Sequence, residues 1–316
     1  MSSTPFSAWR AICQVRTGDI AITPGYNWFM DAFLPLDALH SYRSQTFRTA
    51  PGLRLTSRDE AVAYVNQRGF VYFWPITGVL LPSLWTAVAG DRPVADAHDD
   101  PGHITWGWKD ALLGGREWYY AKVLRKKATM IAFDLLPCFY ALSENYGAYE
   151  EDYLTLYEQG RLTMEARQVY EALLEKGPLD TVTLRRQTGL SSPAAESRFN
   201  RAITDLQADF KIVPSGVTDA GAWHYAFAYD ITARRYPELP DLAQPIRERT
   251  ARCRLAEALL RSLGALQARD LVRLFGWRPA DAARALADLL AGGAAVQAQV
   301  ENQSGEWLVL SSLFPV

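Results

Sequence analysis

Residues 162–231 read LTMEARQVYEALLEKGPLDTVTLRRQTGLSSPAAESRFNRAITDLQADFKIVPSGVTDAGAWHYAFAYDI. Leu162-Thr163 opens an amphipathic helix with Ala166, Val169, Tyr170, Leu173 and Leu174 at helical spacing, and Gly177-Pro178 stops it. A short helix over DTVTLRRQTG follows. Ser192-Pro193 then starts a longer one, with proline in the first turn, where its missing N–H costs nothing. FKIVPSGV and AWHYAFAYDI, joined by Asp219-Ala220-Gly221, read as two strands. Residues 249–313 repeat the plan: TARCRLAEALLRSLG, LQARDLVRLFG, and WRPADAARALADLLAGG with its own early proline. A hairpin, AAVQAQVENQSGEWLVLSSL, then turns at Asn302-Gln303-Ser304-Gly305. Three helices and a hairpin make the winged-helix plan, a helix-turn-helix whose third helix can enter a DNA major groove. The same plan also serves protein contacts, so a scaffold of helical repeats is the alternative.

Working outward, the chain has 316 residues, 49% of them hydrophobic, with Lys+Arg 33 against Asp+Glu 35. That excludes a wholly disordered chain and a histone-like polycation, and leaves nucleic-acid binding to the distribution of charge. Cys13, Cys138 and Cys253 lie too far apart for a disulfide framework or a CxxC knuckle. The start, MSSTPFSAWRAICQVRTGD, lacks the pattern of a secretory signal, and a soluble cytoplasmic protein is expected. Gly69 to Gly90 carries no charge and is long enough to span a bilayer. Pro75, Gly78 and Pro82 break it, so a buried strand, a turn and a short helix are expected instead.

Residues 1–54, punctuated by Pro5, Pro24, Pro35 and Pro51, read as an irregular arm packed on the body. A first winged-helix-like module spans 55–142, opening on a capping box at Thr56 or Ser57 with Asp59 or Glu60. Its helix carries Ala61, Val62, Tyr64 and Val65 and ends near Gly69. Trp106 to Tyr140 alternates rings and cations and predicts a long helix from about Glu117 to Phe133. An acidic linker with a short helix covers 143–161. The second module is 162–231, a further linker 232–248 and the third module 249–316. The expected fold is mainly α with small β-hairpins, arranged as tandem winged-helix (helix-turn-helix) domains.

The second module is acidic in total, yet Arg185, Arg186, Arg198 and Arg201 gather on its second and third helices, where phosphate and base contacts are expected. The third module's wing has no basic residue and suits packing. The richest cationic stretch lies elsewhere: Lys109, Arg116, Lys122, Arg125, Lys126 and Lys127 oppose only Asp110 and Glu117, with Trp106, Trp108, Trp118, Tyr119 and Tyr120 among or beside them. Cations for phosphates and rings for unpaired bases are what a nucleic-acid groove uses, although core rings under a solvated charged face draw on the same residues. Six arginines in 232–254 offer further phosphate contacts.

With these residues in view, the chain resembles the AlkZ-like winged-helix DNA glycosylases, a crosslink-repair class, over most of Leu55 to Leu313, and resembles still more an AlkZ-related group without an assigned activity. The glycosylases carry a strand reading roughly G-F-V-Q-hydrophobic-D, or Q-x-Q, after a first amphipathic helix. Here Arg68-Gly69-Phe70-Val71-Tyr72-Phe73-Trp74-Pro75-Ile76 takes that place, ahead of Leu84-Trp85. In the family, the glutamine and its partner position water against the N-glycosidic carbon. Tyr72 and Trp74 stand at those positions, and neither a neutral phenol nor an indole replaces an amide or carboxylate. Gln297-Ala298-Gln299 spells Q-x-Q in the last wing, at the wrong place in the chain.

The resemblance therefore implies a double-stranded DNA partner, damaged or distorted, with Tyr72 and Trp74 lining the former catalytic cleft and stacking on or wedging against a base. The alternatives are an active N-glycosylase, a hydrolase using other residues such as Glu117, Lys122 and Asp134, or a protein-interaction scaffold. No P-loop, GxGxxG, GxSxG or HExxH occurs and no cofactor is expected. His98, Asp99, Asp100 and His103 are the nearest to a metal set, but Asp-Asp-Pro-Gly is the chemistry of a turn, so no metal is expected.

Overall fold

The computed structural model of the chain describes residues 32–221 and 223–314. Cys13 and most of the expected N-terminal arm lie outside the described residues. The part of the arm that is described is regular rather than irregular: Phe33–Leu34 forms strand β1 and Leu36–Thr46 forms helix α1. What holds α1 is distant. The Tyr42 hydroxyl donates to the Arg261 carbonyl at 2.7 Å, the Arg43 guanidinium to that of Leu263 at 2.9 Å, and the Thr46 hydroxyl to that of Ser262 at 2.8 Å. Partners 216 to 220 residues further on leave no trace in a local pattern.

Helix α2 (Arg58–Arg68) starts as its sequence dictates: Ser57 Oγ accepts from the Glu60 N–H, and the Glu60 carboxylate accepts from the Thr56 N–H at 2.7 Å. The uncharged block then gives strand β2 (Phe70–Tyr72), a turn, and helix α3 (Leu84–Ala89), capped by Ser83. Helix α4 (Ile104–Ala111) follows. The helix expected over Glu117–Phe133 is absent. That stretch is strand β3 (Tyr119–Lys122), a tight turn and strand β4 (Ala128–Ile131), which pair antiparallel with Lys122 opposite Ala128, and β2 joins the other side of β4. The cause is burial on both faces. Phe70, Tyr72, Tyr119, Ala121 and Ile131 enter one core, while Val71, Phe73, Trp118 and Met130 enter another. A strand that is apolar on both sides loses the polar–apolar alternation that would reveal it.

Helix α5 (Leu136–Tyr140) closes this part, and helix α6 (Asp152–Glu158) lies in the acidic stretch that follows. Next come α7 (Met164–Lys176), a two-residue strand β5 (Leu179–Asp180), α8 (Thr181–Gln187), α9 (Glu196–Ala208), and the hairpin of β6 (Ile212–Thr218) and β7 (Ala226–Ile231). Short helices α10 (Thr232–Arg235) and α11 (Leu239–Ala243) lead to α12 (Glu248–Leu263), β8 (Ala265–Leu266), α13 (Ala268–Phe275), α14 (Pro279–Ala291), β9 (Ala295–Val300) and β10 (Trp307–Leu310). The repeat extends to a detail its sequence hides. In each copy a two-residue strand between the first two helices pairs antiparallel with the last strand, Leu179 with Tyr229 and Leu266 with Leu308.

The fold is mainly helical with small, largely antiparallel sheets in the orders β2-β4-β3, β5-β7-β6 and β1-β9-β10-β8. β1 adds to the last hairpin in parallel, covering an edge that would otherwise be open. The cores are not three beads on a string. Residues 162–231 pack around their own core of Val169, Leu173, Phe199, Leu206 and Ile231, joined by Tyr153 and Leu156 of α6. The first sheet shares a core with α12–α14, uniting Phe70 and Tyr119 with Leu255, Leu259, Leu271 and Leu289. Among the described residues, no helix is long and apolar enough to cross a membrane.

Gly264 ends α12 at φ 76°, and a Cβ there would lie 2.7 Å from the Tyr42 ring. Gly189 has a similar φ, 69°, with nothing within 4 Å of its would-be Cβ. Gly264→Ala should therefore cost about 2–4 kcal/mol, a left-handed backbone plus an overpacked contact, and Gly189→Ala only about 1–2 kcal/mol. Denaturant midpoints of the two variants check this order.

Candidate nucleic-acid interface

β2 and β3 run toward the same end of the first sheet, and β4 returns from it. Phe73 N–H donates to the Ala128 carbonyl at 2.9 Å, which carries the pairing one residue past Tyr72 and Thr129, so that Trp74 and Lys127 both follow at this end. Lys122, Arg125, Lys126 and Lys127 are all exposed at this end. The turn between β3 and β4 is strained, with Arg125 at φ 52° and Lys126 at φ 58°, a region that side chains other than glycine rarely adopt. Its surroundings brace it. Thr129 Oγ1 accepts from the Leu124 N–H at 3.2 Å, Arg125 donates to the Arg273 carbonyl of α13 at 2.6 Å, and Lys126 meets Asp205 of α9 at 2.6 Å. Lys122 N–H donates to Gln207 Oε1 at 3.1 Å. Strain held in this way by three separate parts of the chain is characteristic of functional sites. Beside the turn, Gly78, Val79 and Leu80 face Leu259, Leu263, Asp270, Arg273 and Leu274 across an open cavity of about 310 Å³.

On α9, the half near Thr204, Asp205 and Gln207 is occupied by this turn, while Ser197, Asn200 and Arg201 are exposed. The side chains of Lys127, Arg186 and Arg201 have no hydrogen bond or ion pair among the described residues. Arg198 pairs with Glu165 at 2.9 Å. Arg185 turns inward, donating to the carbonyls of Leu190, Ser191 and Ser192 and lying over the Phe199 ring. It braces the α8–α9 turn. Arg116 stands apart, paired with Glu238. The arginines of 232–254 are largely spent in the same way: Arg234 on Asp230 and the carbonyls of Leu173 and Leu174, Arg235 on Gly114, Arg249 on Asp288, Arg252 on Glu248.

Lys109 corrects the expectation most sharply. It is buried, 1% exposed, and cannot reach a phosphate. Its ammonium bonds Asp110 at 2.8 Å and the Tyr225 hydroxyl at 2.9 Å, and lies 4.6 Å from the ring centroids of both Trp106 and Phe227. Phe73, Tyr120 and Tyr225 complete the enclosure. Burial pulls its pKa down, and the hydrogen bond and charge of Asp110 oppose that. Nothing in the local sequence distinguishes this lysine from its exposed neighbours; the ring-rich segment AWHYAFAYD, far along the chain, supplies two of its five ring walls.

Tyr72 is fully buried, its hydroxyl 3.4 Å from the Leu124 carbonyl, so it does not stack on a base in this conformation. Burial pushes its pKa up to about 12, with nearby Arg125 opposing the shift. Trp74 is half-buried and packs toward the opposite core, against Phe73, Trp85, His103 and Trp106. The two rings do not share a face, because β2 ends at Tyr72. Elsewhere, Asp100 caps the turn at the Gly102 N–H and pairs with Arg92, and the His103 ring meets the Ala95 carbonyl at 2.9 Å. No three metal-ligating side chains cluster among the described residues. Glu117 and Asp134 lie toward the other end of the first sheet from Lys122, since Tyr119 pairs with Ile131 and Lys122 with Ala128; the three share no pocket. Gln297 and Gln299 are exposed on β9.

The sequence model of the AlkZ-related family matches residues 55–276. The chain belongs to the AlkZ-related family. No curated protein matches it in sequence. Among solved structures, Streptomyces sahachiroi DNA glycosylase AlkZ is similar in fold, with a TM-score of 0.53 at 11% identity, covering 88% of this chain and 70% of that one. In this AlkZ-related chain, the family match over residues 55–276 contains the first sheet, α9 and α13, the three elements that converge on the strained turn.

Lys109→Ala leaves Asp110 and Tyr225 without their cation and should cost about 3–5 kcal/mol, whereas Lys127→Ala at the exposed end should change stability by less than about 0.5 kcal/mol. Chemical denaturation separates the two. In the unfolded chain a phenol ionises near pH ~10, while folded Tyr72 and Tyr236 hold their protons to about 12. The folded state therefore binds more protons in that window, and stability should fall as pH rises from about 10 to 12. Tyr72→Phe should flatten part of that slope, read from denaturation midpoints across the window.

Proposed function

We propose that this AlkZ-related chain is a DNA-binding protein built of three winged-helix modules in tandem, near 55–142, 162–231 and 249–316, which holds damaged or distorted duplex against the cationic end of its first sheet. The observation that carries this is the convergence of Lys122, Arg125, Lys126 and Lys127 on a braced, strained turn beside the exposed half of α9 with Asn200 and Arg201. The first residues of a recognition helix are those that reach base edges, and here Ser197, Asn200 and Arg201 among them are exposed. The turn's lysines supply phosphate contacts that fix register without reading sequence. The glycosylase pair is missing at positions 72 and 74, and the buried Tyr72 cannot take over its chemistry, so recognition is assigned without base excision by those groups.

Duplex affinity should fall steeply between about 50 and 200 mM salt. Replacing Lys122, Lys127 and Arg201 together by Ala should weaken binding and lower the log–log salt slope by about one for each phosphate that is no longer neutralised. A salt-independent affinity, or an unchanged slope in the triple variant, would remove the proposal.

A second reading, base excision by other residues, has one observation in its favour: Asp270 and Arg273 stand on the open cavity at the same junction. Incubation with N7-methylguanine or crosslinked DNA should then yield abasic product, and Asp270→Asn should abolish it. The asparagine oxygen can still accept from the Gln267 N–H that Asp270 now holds at 2.7 Å, so the start of α13 survives the change.

A further inference from the structure

Trp223, at the turn between β6 and β7, is 89% exposed, and Trp106 on α4 is 40% exposed. Water-exposed indoles of this size are costly to leave uncovered, and these two belong to different parts of the chain that meet. A run of rings leads from Trp106 toward the hairpin that carries Trp223. Trp74 and Trp106 have centroids 5.8 Å apart, Trp106 and Tyr225 6.3 Å, and Tyr225 is two residues beyond Trp223. The run begins one residue beyond the Phe73–Ala128 backbone bond, at the end of the sheet where exposed Lys127 stands, and its ring contacts reach Tyr225, two residues short of Trp223.

Beneath its middle lies Lys109, whose ammonium ties α4 to Tyr225, the residue before β7, while facing the Trp106 ring. The chain two residues from Trp223 is thereby anchored to the helix that carries Trp106 by a buried ionic contact. The tip offers no lysine or arginine. It carries Asp219, which repels a phosphate backbone and leaves the base as the group the indole can meet.

We infer that Trp74, Trp106 and Trp223 form a stacking track for unpaired nucleotides, running from the cationic end of the first sheet to the hairpin tip, with Lys109 as its positioning residue. A positively charged groove leading to successive aromatic faces is the arrangement that holds single strands with little regard to sequence. The track rests on the DNA-binding reading above and specifies its substrate class: DNA with bases out of the stack, as at a lesion, a bubble or a strand end. A protein partner would fit exposed indoles too, but the exposed cations at the end of the sheet where the run of rings begins favour a polyanion with planar bases.

The test uses the full chain and three labelled DNAs of one length: perfect duplex, the same duplex with a central unpaired run, and a single strand. Wild-type protein should prefer the two DNAs with unpaired bases. Trp223→Ala should weaken binding to those two by about tenfold, leave duplex within about twofold, and reduce quenching of tryptophan fluorescence by oligo-dT. Trp223→Phe should restore most of the loss. Because Trp223 is exposed, its removal spares the core, and an unchanged denaturation midpoint verifies this.

Salt-dependent duplex binding with no preference for unpaired bases, or equal losses on all three DNAs in Trp223→Ala, would overturn the track and leave the DNA-binding reading standing. No binding to any of the three would overturn both and favour a protein surface.

Discussion

A single ammonium group sealed among aromatic rings governs how this molecule is put together. Lys109 sits where α4 meets the β6–β7 hairpin, with Asp110 and the Tyr225 hydroxyl as its polar partners and rings from both sides as its walls. A buried cation is tolerable only when paired and enclosed by groups that stabilise positive charge, so each partner is required by the others. The contact fixes one compact body, residues 162–231, against the first sheet. Beside it, the bonds of α9 to the β3–β4 turn hold the same body on the first sheet, and the exposed cations stand at that junction.

The parts of the fold that could be read in advance are those set by local chemistry. The two copies of helices and hairpin, the cap at Ser57, the early prolines and the interruption of the uncharged block are each written in a few adjacent residues. What could not be read depends on distant partners. The β3–β4 hairpin passes for a helix because both of its faces are buried. Helix α1 is held by carbonyls near the other end of the chain. Lys109 and Lys127 look alike in sequence, yet one is entombed and the other free, and only the packing of α4 on the hairpin separates them. At the candidate interface, Lys122, Lys126 and Lys127 were visible as a cluster, whereas the bracing by Asp205, Gln207 and Arg273 was not, and Trp223 read as one more aromatic of the second strand, which in fact begins only at Ala226.

The exchange at positions 72 and 74 is structural as well as chemical. A phenol at 72 fills the core beneath the strained turn, and an indole at 74 packs with Trp85, His103 and Trp106 on the other side. An amide and a carboxylate two residues apart on a longer strand would point the same way. Here the strand stops first, and the two side chains serve two different cores.

The parallel pairing of β1 with β9, together with the seat of α1 on α12, has a consequence for the order of events during synthesis. Residues 33–46 find their hydrogen-bonding partners only after the ribosome has made the region from Arg261 to Val300. At about 5–20 residues per second, that is a wait of roughly ten to fifty seconds, during which the early segment has no native place to go. Residues 162–231, whose core is nearly self-sufficient, can consolidate in the meantime. The nascent chain thus closes from its middle outward, and its beginning is fastened last.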